Sequence, residues 1–150
     1  MGVYYLDASG LVKRYVAETG TGWVQAITDP VNGHDVFVAK IAGPEAVSAF
    51  VRQTPPLPKL ATILANFRFD FHNQYQQLAL TDAVIATAMR FVETHRLRGY
   101  DSVQLAAAVE LHAVREAAGL PPLVFVSADV ALHSAAATEG LVVEDPNAHP

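Results

Sequence analysis

The sequence contains no cysteine. That absence excludes disulfides, thiolate zinc sites and cysteine nucleophiles, and it permits a reducing compartment. No stretch approaches about 18 uncharged apolar residues, so no membrane span is expected. The opening MGVYYLDASG has no basic segment, and Asp7 interrupts its apolar run, so no secretory signal is read there. A cytoplasmic protein is the expectation. Positive charge is scarce: 10 Lys and Arg against 15 Asp and Glu give a net charge of -5. A global basic footprint for nucleic acid is therefore missing, and any such role must rest on a local site. Missing too are the Gly-rich runs that cradle nucleotide phosphates, the G-x-S-x-G elbow of α/β-hydrolases, and any H-x-x-x-H pair.

What remains is a globular composition, 51% hydrophobic and 17% charged over 150 residues, enough for one domain with a sizeable core. Four short apolar runs read as strands: VYYL (3–6), VFVA (36–39), LVFVS (123–127) and LVV (141–143). A fifth, YQQLAL (75–80), is weaker. The runs are continuous rather than alternating, as strands covered on both faces should be. Helical patterns lie between them. They are expected over 8–18, 21–28, from a first turn that holds Pro44 to about Thr54, and over 60–71, Thr81 to His95, Ser102 to Ala118 and Val130 to Thr138. Strands alternating with helices predict an α/β sandwich on a mostly parallel sheet, in a single domain spanning 1–150.

The carboxylates fall at telling places. Asp7 directly follows VYYL, and Asp129 comes two residues after the LVFVS run. Both lie at the carboxyl ends of parallel strands, the edge where open α/β sheets put their sites. Glu45 stands in the first turn of the helix after VFVA, and Asp101 opens the helix beginning at Ser102. Each acid also has a structural explanation. Asp101 with Gln104 forms a D-x-x-Q capping pattern, Asp7 and Asp129 suit N-caps, and Glu45 complements a helix dipole. Together, however, several acids at one sheet edge repel one another and are penalised by burial. A hard divalent cation, Mg2+ or Mn2+, resolves that conflict, because it prefers oxygen ligands and brings positive charge to where a phosphate must approach.

Four stretches carry a resemblance. YYLDASGLVKRYVAE (4–18), PEAVSAFVR (44–52), LRGYDSVQLAAAVEL (97–111) and FVSADVAL (125–132) are similar, in order and spacing, to the motifs of PIN-domain ribonucleases. Size and wording resemble the VapC-type toxins of toxin–antitoxin pairs. The resemblance covers nearly the whole chain. It implies a PIN-like three-layer sandwich: a five-stranded parallel sheet with helices on both faces. It implies Mg2+- or Mn2+-dependent endoribonuclease activity that leaves 5′-phosphate and 3′-hydroxyl ends. The family's catalytic, metal-binding acids map onto Asp7, Glu45, Asp101 and Asp129. Ser127 maps onto the hydroxyl supporting the last acid, and Ser9 onto the polar position after the first. The implied partners are an RNA substrate, a cognate antitoxin protein that inserts an Arg or Lys into the acidic pocket, and a second copy of the chain in a homodimer. No membrane is implied.

Other residues carry weaker signals. Lys13 and Arg14 read as a solvated helix face or as phosphate contacts, and Arg96 and Arg98 as helix-end charges or phosphate contacts. His112 and His133 read as surface or core-edge residues. Leu60, Ile63, Leu64, Phe67 and Phe71 share one helix face, expected as core or, by the resemblance, as a dimer or antitoxin surface that Trp23 and Ile27 extend. EDPNAHP, 144–150, reads as a polar tail. Two alternatives stand beside the nuclease. One is a catalytically weak PIN-like module acting through a protein partner. The other is a Mg2+-dependent phosphatase, disfavoured because its D-x-D pair is here Asp7-Ala8-Ser9.

Overall fold

Each of the five apolar runs becomes a strand in the computed structural model, which describes residues 1–150. They are β1 (Val3–Leu6), β2 (Asp35–Ala39), β3 (Gln76–Leu78), β4 (Val124–Val126) and β5 (Val142–Glu144). All neighbouring pairs are parallel, in the order β3-β2-β1-β4-β5. The chain reverses its direction of winding at β1, so the carboxyl ends of β1 and β4, with the turn after β2 beside them, form the crevice of an open α/β sheet.

Seven helices connect and cover the strands: α1 (Ala8–Val12), α2 (Thr21–Thr28), α3 (Ala42–Val51), α4 (Leu60–Asn73), α5 (Asp82–His95), α6 (Gly99–Ala117) and α7 (Val130–Thr138). They leave the sheet between two apolar layers. One joins Tyr5 and Phe125 to Phe91 of α5, Leu105 of α6 and Leu132 of α7. The other joins Leu6 and Val38 to Leu11, Phe50 and Phe67 of α1, α3 and α4. Side chains alternate along β1, so Tyr5 enters the first layer and Leu6 the second, which is why the run is apolar throughout. The three-layer α/β architecture expected from the sequence is the one observed. No helix is long and apolar enough to cross a membrane.

Local differences have physical causes. The helix expected over 8–18 stops at Val12, because the chain then bends to bring Lys13 onto the Thr19 carbonyl and Arg14 and Tyr15 onto Asp70. Pro44 lies in the first turn of α3, as expected, where a missing N–H costs nothing, and the helix ends at Val51, short of the expected Thr54. The face of α4 is core: Phe67 is buried, and Leu60, Ile63, Leu64 and Phe71 pack against the second layer. Ile27 is buried in the same layer. Trp23 packs at the margin of that layer, stacking flat on His149 at 4.2 Å and meeting Tyr4 edge-on. The C-terminal stretch is accordingly no free tail. Pro146–Ala148 forms a 3-10 turn, its Asp145 cap accepts from the Asn147 N–H, and His149 pairs with Glu144 at 3.0 Å. The turn presses on Gly20, which has φ +89° and where a Cβ would meet the Pro146 carbonyl oxygen at 2.2 Å.

Candidate active site

Asp7 sits where β1 ends and α1 begins. It is 4% exposed. Its Oδ1 accepts from the Gly10 N–H at 2.9 Å, so it caps α1 as the structural reading anticipated. Two hydroxyls hold it further. Ser127 Oγ donates to Oδ2 at 2.7 Å, and Ser9 Oγ lies 2.7 and 2.9 Å from the two oxygens. The same hydroxyls accept backbone N–H groups from the turn after β4: Ser9 from Ala128 at 3.0 Å and Ser127 from Asp129 at 3.1 Å. Ser127 therefore supports the first acid through its proton and the last acid through its lone pair. Three donors on a carboxylate with about four lone-pair positions leave one position free.

Asp129 caps α7, its Oδ1 accepting from the Leu132 N–H at 3.0 Å. Glu45 lies on the first turn of α3 and accepts from Gln104 Nε2 at 3.1 Å. Asp101 departs from its expected capping role. The helix begins at Gly99, two residues before it, and Arg98 occupies the cap position. Asp101 thus stands inside the first turn, where an acid complements the helix dipole. Its carboxylate takes no hydrogen bond from the helix it was expected to cap. Gln104 does not close a capping box either. It is buried, accepts the Tyr5 hydroxyl at 2.6 Å and passes its amide to Glu45. Its role as the support of Glu45 was hidden in the sequence, since the D-x-x-Q spacing pointed to the backbone instead.

Three of the acids, Asp7, Glu45 and Asp101, are raised above the ordinary carboxyl range. Burial pushes the Asp7 carboxyl up to about 6, against the opposing pull of the Gly10 N–H and the Ser127 and Ser9 hydroxyls, and the Asp101 charge adds to the rise. Burial also raises Glu45, with the charges of Asp7 and Asp101 adding and the Gln104 amide opposing. Burial and then the Asp129 charge raise Asp101, opposed by Arg98. The structure therefore brings all four predicted acids and both serines to one sheet edge.

As they stand, no three carboxylates close around one point in a coordinating arrangement. The donor set nevertheless fits a hard divalent cation. It is all oxygen, burial and then neighbouring charge raise Asp7, Glu45 and Asp101, and Asp101 has no competing cap bond. Mg2+ keeps several waters and needs only one or two protein carboxylates, so a closed cage is not required.

The basic residues divide. Of the two readings of Lys13, the solvated face is excluded: its side chain is 6% exposed, bonded to the Thr19 carbonyl and paired with Glu18 at 3.1 Å. Arg14 is committed to Asp70 and Thr28. Arg96 ends α5 in the left-handed conformation, and Arg98 remains exposed beside Asp101.

No family model matches the chain. The chain is 29% identical over 153 residues, all of both chains, to Ribonuclease VapC45 of Mycobacterium tuberculosis (strain CDC 1551 / Oshkosh). Its structure resembles Mycobacterium tuberculosis VapC20, a sarcin-ricin loop cleaving toxin, with a TM-score of 0.62 at 14% identity, covering 98% of this chain and 99% of that one. It also resembles VapBC2 of Rickettsia felis, solved bound to a DNA fragment from its promoter, with a TM-score of 0.61 at 10% identity, covering 95% and 98%. The solved structures carry the fold, and the curated relative carries the sequence likeness over full length. In both respects the chain resembles the VapC-type PIN-domain ribonucleases, as its four motifs indicate.

Proposed function

We propose that this chain is a metal-dependent endoribonuclease, the toxin of a toxin–antitoxin pair acting in the cytoplasm. The observation that supports it most is Asp7. Burying a carboxylate and surrounding it with three further acids is unfavourable for the fold alone, and the site it builds lies at the sheet edge where α/β enzymes work.

Asp7, Asp101, Glu45 and Asp129 would hold Mg2+ or Mn2+, which supplies a charge clamp for a phosphodiester and lowers the pKa of water. The chain's own residues supply the rest. Ser9 and Ser127 fix the Asp7 carboxylate in one orientation and keep it from swinging into the core. Gln104 fixes Glu45 and relays its position to Tyr5 in the sheet. The carboxylate of Asp101 faces no such restraint from its own helix and is free to turn toward the cation. Exposed Arg98, beside it, meets the phosphate backbone of the substrate.

Two partner assignments accompany this reading. An antitoxin is supported by the VapBC2 complex among the structural neighbours. A homodimer is supported by the apolar residues Ile85, Met89, Val92 and Tyr100, which α5 and the start of α6 leave exposed.

Incubating the purified chain with total RNA in Mn2+ tests the activity. Cleavage with 5′-phosphate ends, abolished by EDTA and by Asp7→Asn, is expected. Cleavage that survives Asp7→Asn would refute the assignment of the site.

A further inference from the structure

Ser9 and Lys13, four residues apart, share one face of the α1 segment, and Glu45 and Ala49 share one face of α3. Between these faces lies a cleft of about 270 Å³, lined by Ser9, Lys13, Glu18, Glu45 and the small residues Ala49 and Ala128. One wall is thus the acidic site. The other is a buried ammonium. Lysine is almost never buried without a partner, and the Lys13 side chain is 6% exposed.

Its partners are unequal. The Thr19 carbonyl at 2.8 Å is neutral and fixed in the backbone. The Glu18 carboxylate at 3.1 Å carries the neutralising charge, yet its side chain is 42% exposed. The Glu18 backbone is held independently, its N–H on Thr21 Oγ1 and its carbonyl on the Thr21 N–H. The carboxylate can therefore leave by a change of rotamer, with no refolding of the loop. Lys13, being buried, needs an anion, but half-exposed Glu18 is not the only one that can serve: a second anion taking its place keeps the ammonium paired and returns the Glu18 carboxylate to water. An ammonium carries three donors. Thr19 and Glu18 account for two of them, and the third is left for the cleft.

We infer that Lys13 is a second phosphate subsite, occupied in the free protein by the Glu18 carboxylate, which a phosphodiester flanking the acidic site displaces. Only the identity of the polymer, RNA, rests on the ribonuclease reading. The subsite supplies local positive charge that the chain's net charge of -5 denies it globally. It also makes Glu18 a brake on binding, since strand and carboxylate compete for one cation.

The test is binding of a fluorescein-labelled ten-nucleotide oligouridylate, read by anisotropy at low salt in EDTA, so that neither cleavage nor a metal contributes. Glu18→Gln is compared with Glu93→Gln, which removes the same charge from an exposed position on α5. Glu18→Gln is expected to tighten binding by about three- to tenfold over Glu93→Gln. Adding Lys13→Met should cancel that gain and lower the salt slope by about one counterion. Equal affinity of the Glu18→Gln and Glu93→Gln proteins, absence of binding by both included, overturns the subsite, as does a gain that persists without Lys13. The comparison stands even where Lys13→Met fails to fold. Calorimetry of Mn2+ on the acids decides the nuclease reading separately.

Discussion

Ser127 Oγ donates to Asp7 Oδ2 at 2.7 Å, tying the end of β4 to the end of β1. Two neighbouring strands are thereby locked at the edge where the acids meet, and the locked carboxylate is the most buried of the four. Removing the hydroxyl takes a donor from a charged acceptor, a loss of about 1.5–3 kcal/mol. Ser127→Ala should therefore lower stability to urea by that amount at pH 8. The cost should shrink at pH 5, where Asp7 is protonated and the bond is no longer charge-assisted. A cost independent of pH would place the Ser127 contribution elsewhere.

The raised carboxyls give the metal-free protein a pH dependence of definite sign. Asp7 titrates at about 6 in the folded chain against an ordinary 3.8. The folded state then binds more protons than the unfolded state between these values. Its contribution to stability is fully present below about pH 3.8 and is lost as pH rises through about 6, a total of roughly 3 kcal/mol. Glu45 and Asp101 shift in the same direction and add to the trend. In EDTA, the wild type should lose stability from pH 4.5 to pH 7.5 more steeply than Asp7→Asn, and the variant should be the more stable protein at pH 7.5. Chemical denaturation across that range reads both.

Gln104 joins Tyr5 to Glu45 from a buried position. Gln104→Leu keeps the volume and removes both bonds. It strands the Tyr5 hydroxyl in the core at a cost of about 1–3 kcal/mol and frees Glu45 to move. Thermal melts should show the loss, and Mn2+ affinity should fall with it. Unchanged metal affinity would show that Glu45 needs no such support.

Trp23 is the single tryptophan, so the protein's indole emission reports its surroundings, the stacked His149 ring among them. His149→Ala removes the stacked ring and should shift that emission to the red. Gly20→Ala forces a Cβ against the Pro146 carbonyl from a left-handed backbone. It should destabilise the fold by more than the roughly 1 kcal/mol of an ordinary positive-φ glycine substitution. A blue shift with His149→Ala would contradict the stacking.

The sheet and its acidic edge were legible because the information is local. A continuous apolar run such as VYYL admits few alternatives to a strand covered on both faces, and an acid immediately after it then falls at the strand's end. What was not legible depends on distant partners. Nothing in Lys13-Arg14-Tyr15 breaks a helix. The break comes from Asp70 on α4 and from the Thr19 carbonyl, which only the folded chain brings near. Asp101 and Gln104 match a capping pattern, but the extended backbone at Arg98 starts the helix earlier and leaves both side chains to the site. EDPNAHP has the composition of a tail, and only the proximity of Trp23 and Gly20 turns it into a clasp.

We predict that the four carboxylates at this edge bind a divalent cation. Calorimetric titration of Mn2+ at pH 7.5, on the wild type and on Asp101→Asn, tests it without knowledge of the RNA. One site is predicted on the wild type. Saturation at 100 times its Kd should stabilise the fold by about 2.7 kcal/mol. Asp101→Asn should bind at least about tenfold more weakly with its fold intact. Equal binding by the two proteins, or binding by neither, would contradict the account.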